Sequence, residues 1–388
     1  MSIRTLLLGM VMAIAASLWG CQAAGPIKVP LVTTAIPADT STYMSPSVVA
    51  LGGGDPNLGR FLLDEDHPTT KLTLGGIECI VKAQTPAKVD DHHLLHCKLL
   101  IKTPTQELTF DTPPSGSDAT VELTLNHGRK YLLTGWGHCY SQTDPKTEKK
   151  SVITIGGFQP AGTQTGKIGQ STVALFDANL DGFYTSGQDG IVISSPSKVV
   201  DDRLPKFRLV QPLSKYISTS DGIFEVQHLA KDGSELTLLP YRGPTASLQV
   251  IAPQKYLGQI ILTSPDANLN VTVSGKVGEL VTVIPGNYTI LVAELGIYPQ
   301  SLLIYGDGMP SLKVATGAKQ VLTLSGPKIL EFQATMVYDK VNIKSDTFHI
   351  TGQAGETYSP ICCDQENPPE VYLNVDGKST LLGKMAFG

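Results

Sequence analysis

The clearest chemistry in the chain lies in one short stretch, residues 171–193, which read STVALFDANLDGFYTSGQDGIVI. Asp177, Asn179 and Asp181 alternate along it, so a chain that curls around a point turns all three side-chain oxygens inward. Gly182 permits the sharp bend that follows, and the carbonyl of Phe183 adds a main-chain oxygen. Hard oxygen donors in this pattern suit calcium, which takes six to eight of them, and a carboxylate about a dozen positions after the first normally closes the shell. Here the twelfth position is Gln188 and the acid falls one residue later, at Asp189. The expected ligands are therefore Asp177, Asn179, Asp181, Phe183 and Asp189, with Ca2+ as the cofactor. Asn, Asp and Gly also dominate ordinary turns, so a turn that binds nothing competes with this reading. A second stretch, Asp266 to Asn270, starts with similar spacing but has Asn270 where Asp and then Gly are needed, and reads as a turn.

Other reactive residues assemble less well. His92, His96 and Cys139 could sketch a zinc site, but the spacing matches no recognised one, no CxxC pair supports it, and histidines in such a turn are more often exposed. Trp136, His138 and Cys139 cluster within four residues; on a strand His138 and Cys139 point to opposite faces, so core packing of Cys139 outweighs a nucleophilic role. No GxSxG elbow, HExxH, Walker A loop or strand-borne GxGxxG occurs. The acid runs Asp64, Glu65, Asp66 and Asp201, Asp202 could serve a glycosidase, yet such runs are usually solvated faces.

These residues must be positioned by strands. Gly and Pro supply 38 and 26 positions of 388, too many for long helices to dominate, and short period-two runs recur between turn signals from residue 70 onward. Hairpins are expected for Thr120–Leu125 with Tyr131–Thr134, for Ile223–Leu229 with Leu236–Leu239, for Leu280–Ile284 with Tyr288–Ala293, and for the alternating run through Phe332, Ala334 and Met336 with its return at Val341 and Ile343. A hairpin centred near Lys88 would set Cys79 opposite Cys97, making that pair the disulfide candidates.

Three resemblances follow from these residues. Asp177, Asn179, Asp181 and Gly182 resemble the opening of an EF-hand-type calcium loop, although the β-branched and aromatic flanks Thr172–Phe176 and Ile191–Ile193 are not amphipathic helices. The likeness is confined to the loop, and implies a clip on a β-hairpin with a mainly structural ion. Residues 245–305, with VTVIPGNYTILVAE from Val281 to Glu294, are similar to carboxypeptidase-regulatory or related prealbumin-like sandwiches, through the turn Pro285, Gly286, Asn287, Tyr288. Leu18, Trp19, Gly20, Cys21 resemble a bacterial lipobox, with Trp19 where a smaller residue is usual. That likeness implies lipidation of Cys21; cleavage of an ordinary signal peptide after Ala23 or Ala24 is the alternative.

The resulting expectation is an all-β chain of tandem Ig-like or prealbumin-like sandwich modules behind a signal peptide and a flexible tether. Residues 1–20 form the signal, with Arg4 ahead of the apolar run Leu6–Leu18, and 21–50 form the tether. Four β-rich units follow at 51–165, 166–243 (with the calcium loop), 244–306 and 307–388, the last Ig-like. Charged residues make up only 17% against roughly 25% in typical soluble domains, which excludes wholesale disorder. A net charge of −5 without any basic cluster gives no support for nucleic-acid binding. The expected role is a binding or structural component of the cell envelope, exported, lipid-anchored at the outer membrane or the periplasmic face, and contacting an envelope polymer or surface protein. The alternative is an extracellular hydrolase or its accessory domain.

Overall fold

A computed structural model describes residues 25–35, 60–85, 95–111, 119–125, 128–143, 147–194, 210–252, 256–276, 278, 280–297, 300–306, 308–324, 326–337, 340–343, 347, 349–360, 370–375 and 378–384. The signal segment, Cys21, His92, Asp201, Asp202, Cys362 and Cys363 lie outside these residues. The protein is all-β: among the described residues every regular element is a strand. No helix there is long and apolar enough to cross a membrane.

Among the described residues, the three largest apolar cores organise the strands. The first lies between two sheets. One is four-stranded, from Thr69–Leu74, Ile77–Gln84, Lys98–Lys102 and Glu107–Asp111; the other is built on the long pair Lys130–Thr143 and Lys150–Pro160. Alternate residues of each sheet face inward, Cys79, Val81, Leu99, Ile101 and Phe110 against Leu123, Leu133, Cys139 and Phe158, all at most 5% exposed. Gly135 makes this packing possible, because a Cβ there would stand 2.8 Å from the Phe158 ring.

In the second core a five-stranded sheet containing Gly162–Ile168, Ser171–Phe176 and Gly190–Ser194 packs on the start of a larger sheet containing Tyr216–Thr219, Gly222–Leu229 and Glu235–Pro240. Residues 27–35, expected within the flexible tether, complete both sheets. Ile27–Pro30 pairs antiparallel with Glu235–Pro240, the chain turns at Leu31, and Val32–Ala35 pairs with Gly162–Ile168. Val29 and Leu31 plug the core at 1% and 6% exposure. Pro30 is tolerated because it ends an edge strand. Few residues other than this alternation of Val29 and Leu31 distinguish the segment from linker sequence, which is why a tether was the simpler expectation.

The third core is closed by the three-stranded sheet Leu280–Val283, Ala246–Ile251 and Lys319–Thr323, packed on Tyr256–Ser264, Leu269–Lys276 and Gly286–Ile297. These last three belong to the same large sheet that serves the second core, a sheet of 12 strands among the described residues. It runs across the expected boundaries: Tyr216–Thr219 pairs in parallel with Leu269–Lys276, and Gln300–Tyr305 pairs with Thr357–Pro360. The boundary expected after residue 165 likewise falls inside Gly162–Ile168. Among the described residues, the stretch from 307 divides its strands between neighbouring sheets and two separate hairpins, Ala334–Val337 with Lys340–Ile343 and Glu370–Val375 with Lys378–Lys384. Alternation marks a strand's faces without choosing its neighbour, so a separate Ig-like sandwich there was not determined by pattern alone.

Three expected hairpins form as read: Leu123 pairs with Tyr131, Leu229 pairs with Leu236, and Met336 pairs with Val341. The run around Pro285 does not form a hairpin. Leu280–Val283 pairs with Ala246–Ile251, whereas Gly286–Ile297 pairs with Tyr256–Ser264 and Gln300–Tyr305, so the turn carries the chain from one sheet to the other. Tyr288, 1% exposed, fills the inside of this corner and its hydroxyl donates to the Ile284 carbonyl at 2.6 Å.

Candidate metal centre

The loop 177–189 joins Ser171–Phe176 to Gly190–Ser194, whose register ends on Phe176 opposite Gly190. One step further, that register sets Asp177 opposite Asp189 at the mouth of the hairpin. Both aspartates are fully buried.

Their oxygens organise the loop. Asp177 Oδ2 accepts the Gly182 N–H at 2.7 Å and the Tyr131 hydroxyl at 2.6 Å, and its Oδ1 accepts the Asp181 N–H at 3.2 Å. Asp189 Oδ1 accepts the Ala178 N–H at 2.9 Å and its Oδ2 the Thr185 N–H at 2.5 Å. Asn179 Oδ1 accepts the Asp181 N–H at 3.2 Å while its Nδ2 donates to Asp181 Oδ2 at 2.9 Å. Asp181 Oδ1 accepts the Phe183 N–H at 2.7 Å, and the Thr185 hydroxyl donates to Gln188 Oε1 at 3.1 Å. The Arg129 guanidinium donates to the Gly182 carbonyl and lies 6.0 Å from the centre of the Phe183 ring.

Electrostatically the site holds more negative charge than its surroundings balance. Burial pushes the Asp177 carboxyl up to about 6, with Asp181 adding to the rise against the hydrogen bonds from Tyr131 and Gly182 that oppose it. Burial pushes Asp189 up to about 7, with the charge of Asp177 adding to it. Burial and the same carboxylates hold the Tyr131 hydroxyl well above its ordinary range. Charged groups in such a place take up a proton or gain a counter-ion.

The structure thus brings Asp177 and Asp189 together across the hairpin and Asn179 and Asp181 together at its tip, with Phe183 following them, its ring half exposed. No group of three His, Cys, Asp or Glu side chains among the described residues is close enough to hold a metal ion. The oxygen donors are of the hard type calcium takes, and Asp177 Oδ1 and both Asp189 oxygens keep a lone pair beyond their hydrogen bonds, whereas Asp177 Oδ2 already accepts two. Sequence reasoning missed Arg129 and Tyr131. They lie 53 and 46 residues from their partners on another sheet, and nothing in their local sequence marks them.

The remaining candidates are structural. The Cys79–Cys97 bridge does not form: neither these two nor Cys139 is disulfide-bonded, and all three are buried in the first core. The hairpin exists, but Gln84 faces Lys98 and Ile80 faces Lys102, which moves its centre three residues past Lys88. Cys79 and Cys97 are consequently displaced along the ladder by about six residues, ~20 Å. Burial pushes Cys79 up to about 11 and Cys97 to about 12, and raises Cys139 as well. We expect all three to resist iodoacetamide at pH 8 in the native protein and to react in urea, as read by peptide mass mapping. Alkylation of any of them without denaturant would contradict this packing.

His138 and Cys139 alternate on Lys130–Thr143, opposite His96 and Leu95, with Cys139 facing the core. The acids Asp64 to Asp66 occupy a surface turn in which Asp64 accepts the His67 N–H at 2.6 Å. Around Asp266 the chain does turn: Asn268, at φ 48°, accepts the Lys215 N–H, and Asn270 donates to the Pro212 carbonyl.

Comparison with known proteins finds no matching family model, no matching curated protein and no matching solved structure. The functional reading therefore rests on the residues and their geometry.

Proposed function

We propose that the chain is an exported, lipid-anchored β protein serving as a binding or structural component of the cell envelope, with a structural calcium ion in the loop 177–189. The observation that carries the ion is the pair Asp177 and Asp189, two fully buried carboxylates that follow and precede the paired residues Phe176 and Gly190 and act on each other electrostatically. A divalent cation there replaces the protons that burial would otherwise retain. Coordination draws on Asp177, Asn179, Asp181, the Phe183 carbonyl and Asp189; Asp181 turns from the Asn179 amide toward Asp177 to join the shell. Extracellular sites of this kind usually bind weakly, which suits a compartment rich in calcium. Export and the anchor rest on the sequence features of residues 1–21, and display on the sheets that hold the loops apart. The hydrolase alternative named Asp64–Asp66, whose exposed turn lends it no support, and Asp201 and Asp202, which lie outside the described residues.

Scanning calorimetry of the mature protein tests the ion. Calcium at a hundredfold excess over its Kd should stabilise the native state by about 2.7 kcal/mol, a rise of several degrees in Tm relative to EDTA. Asp181→Ala should remove most of that rise. An unchanged Tm for the wild type at millimolar calcium would eliminate the ion. Intact mass of the exported product tests the anchor, which requires diacylglycerol on Cys21.

A further inference from the structure

The loop 177–189 lies at the junction between the first and second cores, and its residues divide between them. Leu180, at φ 58° and 3% exposed, belongs to the first core, together with Leu74, Leu125 and Tyr131. Its carbonyl accepts the Gly75 N–H at 2.7 Å. A Cβ on Gly182 would stand 2.8 Å from the Gly75 carbonyl, and a Cβ on Gly76 would stand 2.9 Å from the Asp181 carbonyl, so the two backbones touch over three consecutive loop residues. Arg129 and Tyr131, both from the first sandwich, bond Gly182 and Asp177. From Tyr184 onward the loop belongs to the second core: Tyr184 is 5% exposed there, its N–H donates to the Lys231 carbonyl at 2.9 Å, and Gly187 donates to the Leu213 carbonyl.

We propose that this loop is a cation-dependent latch between the two sandwiches, in which binding of calcium and docking of Leu180 into the first core favour one another. The proposal rests on the calcium reading above and extends it from a local clip to control of how two parts of the molecule are joined. The ligands Asp177 and Asp181 flank Leu180, whereas Asp189 stands at the other end of the loop, among residues of the second sandwich. An ion shared by them fixes the two halves of the loop in the one shape that presents Leu180 to its socket. Without it the facing carboxylates oppose that shape. Coupling of this kind is reciprocal: whatever factor calcium contributes to docking, docking contributes to calcium affinity.

The test measures calcium affinity by titration calorimetry and amide exchange by mass spectrometry on the mature chain and two variants. In the wild type, calcium should slow exchange at least fivefold in first-sandwich peptides covering 72–77, which include the Gly75 amide and none of the ligands. Leu180→Ser removes no ligand, yet should weaken calcium binding five- to tenfold and abolish the slowing. Arg129→Gln, a surface-side change that spares the core, should shift both in the same direction by a smaller factor, and keeps the test valid if Leu180→Ser does not fold. Calcium binding with unchanged exchange at 72–77, or unchanged affinity in the variants, overturns the latch and leaves the ion site standing. Absence of any calcium heat in the wild type overturns both.

Discussion

Replacing Gly166 by valine should strip the N-terminal strands from the second sandwich and lower stability by about 3–6 kcal/mol. A Cβ at Gly166 would lie 2.5 Å from Leu31 Cδ2, 2.8 Å from the Pro30 carbonyl oxygen and 2.9 Å from Val29 Cγ1. The backbone oxygen cannot move aside without breaking the pairing with Glu235–Pro240, so relief comes from expelling the segment. Expulsion exposes Val29 and Leu31, each worth about 1.5–3 kcal/mol when buried, and leaves unpaired edges on two sheets. The Lys28–Glu235 ion pair, 3.2 Å long with both side chains exposed, contributes little to holding it. Two readouts check the result: the urea midpoint should fall, and trypsin should cut rapidly after Lys28 in the variant but slowly in the wild type. Equal midpoints and equal cleavage would show that residues 27–35 add nothing to the fold.

The second expected result is that adding calcium removes a fall of stability with pH. In EDTA the native carboxyls of Asp177 and Asp189 titrate near 6 and 7, above the 3.8 of a free aspartate. Between about pH 4 and 7 the folded chain therefore holds protons that the unfolded chain has released, and stability falls as pH rises through that window. The loss amounts to a few kcal/mol between pH 5 and 7.5, on the order of 1.4 kcal/mol for each unit by which a pKa is raised. Calcium binds the ionised carboxylates in place of their protons, so its stabilisation relative to EDTA should grow over the same interval and leave the curve in calcium nearly flat. Asp189→Asn should flatten the EDTA curve and abolish the calcium effect. Urea denaturation at half-unit intervals measures all three curves. A wild-type stability in EDTA that climbs from pH 5 to 7.5, with no difference from Asp189→Asn, would mean that the pair carries no raised carboxyl.

How the loop is held shows why its oxygen-bearing residues were easier to read than its contacts. Asp177, Asn179, Asp181 and Gly182 stand close together, and their spacing expresses a local geometry that needs only the backbone between them. Asp189 looked misplaced by one residue because spacing was compared with a loop between helices; the strand register Phe176 opposite Gly190 makes it the natural partner of Asp177. Leu180 carries no sequence signal of its own. Its burial in a different core goes with the bond from Gly75, more than 100 residues away, and no local pattern carries that contact.

The sequence by itself determined that the chain folds as strands, because alternating apolar side chains can be buried together only on one face of an extended backbone. It also determined which residues bring oxygen to the loop, and that Thr120–Leu125 and Ile223–Leu229 return on themselves through short turns. Only the tertiary structure decided which edges meet: that residues 27–35 close two sheets, that the turn at Pro285 changes sheets, that Cys79 and Cys97 are out of register, and that one sheet runs through three expected modules. The physical reason is that every strand edge presents the same N–H and C=O groups, so the choice of partner is made by the packing of side chains that distant parts of the chain supply.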